Sequence, residues 1–248
     1  MEIKNEIKYA SETNFEKEIK ELIDDDEFID EIFRILSSKS VSSYLKAKIK
    51  FLKDYNVEFV EEGFYDVFLK DQYDEFMIDM KKDFKKFRDL IIIKQICYKI
   101  PSMTDSSMRI YINPIYEISE NLKKDNNQIK SVLKSTLIIL LVHEIANFLK
   151  AYSSQNTLKK NYTGTPNKKE NGKFLIFYLF KFGVIKSINY KQSCLINEIS
   201  TWDNLINLRK IFEKVEETSD GYDGELNFYL GDSDEETEEE QRTEYCIW

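Results

Sequence analysis

Histidine, cysteine, proline and glycine are all scarce in this sequence, with one, three, three and seven residues among 248. Each scarcity removes a class of answers. Few glycines and prolines leave little material for the many turns of a sandwich or barrel of short strands, so long helices are expected. No G-x-G-x-x-G, P-loop or G-x-S-x-G pattern occurs, which removes the backbone-cradled phosphate sites and the esterase elbow. Cys97, Cys194 and Cys246 are odd in number, far apart and in no CxxC spacing. Neither a disulfide framework nor a structural zinc site is expected, and a reducing intracellular compartment, cytoplasmic or cytoskeleton-associated, fits better. Cys246 lies third from the end, which is not a prenylation signal.

Long apolar runs are also missing. The N-terminal segment alternates charges without an apolar stretch, so no signal peptide is expected. The most apolar runs, 137–142 and 174–180, are far shorter than the roughly 18 residues a membrane helix needs, and no membrane partner is expected. The basic, aromatic stretch 81–88 places Phe84 and Phe87 at inward helical spacing with its lysines on the opposite side. With no concentrated basic surface elsewhere, no nucleic-acid partner is expected.

What is abundant is aromatic and apolar: 17 Phe, 15 Tyr and 42% hydrophobic residues, enough for a sizeable core. The net charge of −9 is unevenly placed. Residues 216–248 hold thirteen acidic residues against one basic, and the remainder is close to neutral. The expected organisation is one mainly helical domain over 1–215 followed by a disordered acidic tail over 216–248. The fold class is mainly α with a minor β element, α+β.

Helical spacing predicts helices over 14–24 and 26–37, then a serine-rich break at 37–43 with Ser40 capping a helix through Tyr44, Leu45, Ile49 and Leu52. A short strand is expected at 57–60 and a helix over 74–98. A turn-rich connection leads to a strand over 108–116 that breaks at Pro114. Asp125, Asn126 and Asn127 open a helix expected over 128–152, followed by a polar loop to 169. A core helix runs from about 169 to 182, stopped by Gly183, and one or two further helices cover 187–214.

The single histidine falls within the long helix, in His143-Glu144-Ile145-Ala146-Asn147. In an H-E-x-x-H motif the two histidines share a helical face and hold one zinc, while the Glu, about 100° further round, acts on the zinc-bound water. Here Asn147 stands in the second position. The plainest reading is an ordinary core histidine beside Ile139, Leu140 and Ala146. As the base of a Ser/His/Asp or Cys/His set, a mid-helix His143 lacks an identifiable nucleophile.

A strand, a helix carrying this motif and a following helix opened by Glu170-Asn171-Gly172 resemble the zincin fold, specifically the gluzincin-type metallopeptidases, over about residues 108–205. The resemblance implies His143 as first metal ligand, Glu170 as third and Glu144 as catalytic base. Glu198 is a spare carboxylate on the same logic. Asn147 removes the second ligand, and an amide oxygen is a poor donor to zinc. The reading that follows is a catalytically inactive zincin-like protein, a structural or interaction subunit of a larger assembly with protein partners and no cofactor. The alternatives are a zinc-dependent metallopeptidase with an atypical metal site and a helical adaptor unrelated to zincins. In the tail, Tyr245, Ile247 and Trp248 are candidate partner-binding residues, an aromatic end on an acidic flank.

Overall fold

The computed structural model describes residues 9–46, 70–96, 100–105, 107–158, 171–181, 185–212 and 225–230. A first strand, β1 (Tyr9–Asn14), leads into α1 (Glu16–Asp24) and α2 (Asp26–Ser37), close to where the spacing places helices. Ile19 and Ile23 of α1 and Phe28, Ile29, Ile32, Phe33, Ile35 and Leu36 of α2 are buried. Asp25 divides the two by leaving the helical region and accepting a hydrogen bond from Glu27 N.

The serine-rich break is only one residue long. Ser38 alone is non-helical, and α3 (Lys39–Leu45) runs through Ser40, which is buried inside it and not at its cap. Burial of Val41, Tyr44 and Leu45 overrides the weak helix preference of serine. Ile49, Leu52 and the strand expected at 57–60 lie outside the described residues.

The single helix expected over 74–98 is three elements. α4 (Lys70–Lys82) stops at Asp83, whose extended backbone and side chain cap α5 (Phe84–Arg88) through Lys85 N. Ile91–Ile93 then forms β2, a β-branched run that pairs in parallel with a later strand. The inward face is the expected one: Phe87 is buried and Phe84 stacks on Phe33 at 5.8 Å, while Lys81, Lys82, Lys85 and Lys86 are exposed. Arg88 ties this region to the first two helices, donating to the carbonyls of Ile23 and Asp24 and pairing with Asp26.

β3 (Ser102–Thr104), β4 (Ile110–Ile112) and β5 (Ile115–Ser119) follow. The expected interruption at Pro114 separates β4 from β5. β3 replaces part of the expected turn region, because Asp105 accepts from Ser107 N and Arg109 N and Met108 takes a positive φ of 62°, which folds the chain back onto β4. One sheet has the order β2-β4-β3.

Asp125 starts the central helix, α6 (Asn126–Leu158), by accepting from Asn127 N and Gln128 N. With 33 residues it is about 50 Å long. It takes in residues 153–158, expected as loop. Within Asn126–Leu149 an 18-residue window has a mean hydropathy of 1.7, long and apolar enough by composition to cross a bilayer, but 89% of that window is buried inside the protein. The elements that cover it include α1, α2, α4, β3, β4 and those described next.

α7 (Asn171–Phe180) is the expected core helix, with Leu175, Ile176, Leu179 and Phe180 buried and Phe177 partly exposed. It ends at Lys181, whose φ of 59° supplies the left-handed residue that was expected of Gly183, itself outside the described residues. The segment expected to hold one or two helices begins instead with β6 (Ile185–Asn189), then α8 (Tyr190–Asn197), a 3-10 turn (Ile199–Asp203) and α9 (Leu205–Lys210). Asn189 and Gln192 form a capping box at α8. Buried Trp202 lies edge-on to Phe180 and donates to Ile196 O.

The acidic tail is corrected in one part. Residues Glu225–Leu230 form β7, and the second sheet has the order β1-β5-β7-β6, antiparallel throughout. Leu226, opposite Ile118 on one side and Ile188 on the other, is fully buried. Pairing on both sides outweighs the acidic composition that suggested disorder, so the folded body extends beyond 215. Residues 231–248, with Tyr245, Ile247 and Trp248, lie outside the described residues.

Candidate metal centre and its polar cluster

His143, Glu144 and Asn147 project from the middle of α6, where His143 and Glu144 are almost fully buried. A carboxylate in such a place is costly unless every oxygen lone pair finds a donor. β3 supplies two. Ser102 Oγ donates to Glu144 Oε1 at 2.7 Å, and Thr104 Oγ1 lies 2.6 Å from Oε2 and 3.2 Å from the backbone oxygen of the same residue. α6 supplies the others: His143 Nδ1 is 3.0 Å from Oε1 and Asn147 Nδ2 is 3.4 Å from Oε2.

Burial pushes the Glu144 carboxyl upward, but the positive charge of His143, its hydrogen bond and those of Thr104 and Ser102 hold it below its ordinary value of 4.5. Glu144 is thus ionised at neutral pH. An ionised carboxylate only accepts, so Nδ1 of His143 carries the hydrogen between them.

Asn147 faces two ways. Its Oδ1 accepts from Gly172 N at 2.7 Å while its NH2 points at Glu144. The amide orientation is forced, because reversing it would set oxygen against carboxylate and NH2 against N–H. Gly172, in the first turn of α7, sits on the histidine itself. A Cβ there would stand 2.4 Å from both His143 Cδ2 and the His143 backbone oxygen. Alanine in a helix ordinarily stabilises over glycine by about 0.5–1 kcal/mol. Here the sign is expected to reverse, Gly172→Ala costing about 1–3 kcal/mol as α7 is pushed off α6, readable as a lower midpoint in urea denaturation.

The motif residues are therefore together, but their geometry is not that of a catalytic zinc site. Such a site needs three protein donors and a carboxylate facing the bound water. Asn147 gives its oxygen to α7, and Glu144 is turned to β3 and to His143 Nδ1. Among the described residues no group of three or more His, Cys, Asp or Glu side chains converges. The described residues do not fit the metal. Glu170 lies outside the described residues, and Glu198, at the end of α8, accepts from Ser200 Oγ on the exposed surface.

Ser102, Thr104 and Gly172 were not legible as members of this cluster. Two hydroxyl residues at alternate positions of a strand, Ser102 and Thr104, are the one signal that could have found them, since both point to the same face. Comparison of the chain with protein-family models, curated proteins and solved structures finds no match.

Proposed function

We propose that this chain is a catalytically inactive zincin-like protein serving as a structural or interaction component of a larger intracellular assembly. The observation that carries the reading is the state of Glu144. In a working site this carboxylate must face a metal-bound water and accept its proton. Here both oxygens accept from Ser102, Thr104, His143 and Asn147, which makes the residue a tie between β3 and α6. The acidic region from 216, with a net charge of −12 and an aromatic terminus, supports a role in contacts.

Metal analysis tests the inactive site. The purified protein is expected to carry zinc far below one per chain, and its thermal midpoint is expected to ignore a chelator. Stoichiometric zinc that disappears in His143→Ala would reverse the reading and favour a metal-dependent peptidase. For the interaction role, removal of 231–248 leaves β7 in place and is expected to weaken capture of the protein partner. Unchanged capture would take the tail out of the account.

A further inference from the structure

The residue that separates this motif from a zinc-binding one has two tasks of its own. The first turn of a helix carries N–H groups without partners inside the helix. Asn147 Oδ1 serves one of them, Gly172 N, at 2.7 Å, from a different helix. Its Nδ2 meanwhile donates to Glu144. Gly172 fixes the approach, because any Cβ would strike His143.

We infer that Asn147 is a latch holding the first turn of α7 on α6, and that latching and metal ligation exclude each other at this position. The exclusion follows from imidazole chemistry. A neutral histidine has one acceptor nitrogen and one N–H. Once the acceptor is bound to a metal, the remaining nitrogen is a donor and can offer nothing to Gly172 N. A histidine at 147 can ligate or cap, but not both, and the cap is already demanded by the packing of Gly172 on His143. Returning histidine to position 147 therefore does not restore a zinc site. This inference rests on the reading of the cluster as non-catalytic.

The experiment compares the full chain with Asn147→His and Asn147→Ala, using zinc titration by calorimetry and amide hydrogen exchange. Asn147→Ala is expected to speed exchange of the Gly172 amide about tenfold, the loss of one cap, whereas Asn147→His, whose acceptor nitrogen is taken by Gly172 N, keeps that amide protected. Exchange along the middle of α6 should be little changed, which distinguishes a lost latch from general loosening. Asn147→His is expected to lower the thermal midpoint by about 3 °C and to bind no zinc. Unaltered Gly172 exchange in Asn147→Ala overturns the latch. Tight binding of one zinc by Asn147→His, with Gly172 still protected, overturns the exclusion. Zinc on the unaltered chain sinks the non-catalytic reading instead, so the two failures are distinct. Should Asn147→His fail to fold, the Asn147→Ala exchange rates still decide the latch.

Discussion

Glu144→Ala is expected to lower stability by about 3–5 kcal/mol, the usual cost of removing one partner from a buried charged network. This corresponds to a fall of about 10 °C in the thermal midpoint of a chain this size. The loss has little to do with the missing side-chain volume. Ser102, Thr104 and His143 all aim hydrogens at the carboxylate, and without it these buried groups are left unpaired. An enzyme whose catalytic base is removed commonly keeps its stability, so the same substitution separates a structural carboxylate from a catalytic one. An unchanged midpoint would remove the structural role. The effect also has a pH signature. Because the folded state holds Glu144 below 4.5, its contribution is fully present above that value and is lost as pH falls through the lower folded value. The midpoints of the unaltered chain and Glu144→Ala are expected to approach one another as the solution is acidified below 4.5.

A chain ending at residue 215 is expected to unfold at least 10 °C lower than the full protein, or to aggregate, whereas a chain ending at 230 keeps the full midpoint. The acidic region appears dispensable by composition, yet β7 lies between β5 and β6. Its removal takes Leu226 out of the core, a change on the scale of a large cavity, about 3–5 kcal/mol. It also leaves two strand edges with unpaired backbone groups facing each other, a template for association. Thermal denaturation and size-exclusion chromatography of the two truncations check the result. Equal midpoints would mean that β7 contributes nothing to the sheet.

These two expectations also mark where the sequence stopped being legible. α1 and α2 were readable because their apolar residues recur at helical spacing, α6 and α7 because their apolar runs 137–142 and 174–180 contain no glycine or proline, and Asp25 and Asp125 act through the atoms next to them. The mainly helical class with a small β component followed from the same signals. Asp83 broke an otherwise continuous helical pattern because an N-cap can end one helix and begin another with no glycine or proline to mark it. β7 was hidden because its pairing partners are distant in sequence, Glu117 opposite Asn227 and Asn189 opposite Glu225, and its acidic flanks dominate any local average. The candidate site was half visible. His143, Glu144 and Asn147 announce themselves on one helix, but β3 and Gly172 join them only through tertiary contact, and these are the partners that decide what Glu144 does.

The long central helix has a consequence during synthesis. Until α1, α2, α7 and α8 wrap around it, the 18-residue apolar window within Asn126–Leu149 is uncovered and has the hydropathy of a membrane span. Elements that cover it come from both sides of the chain, so a growing polypeptide exposes it before α7 and α8 have been made. The fate of each new molecule is a race between wrapping and sticking to other chains or to lipid, and the yield of native protein is set by how quickly the later helices arrive.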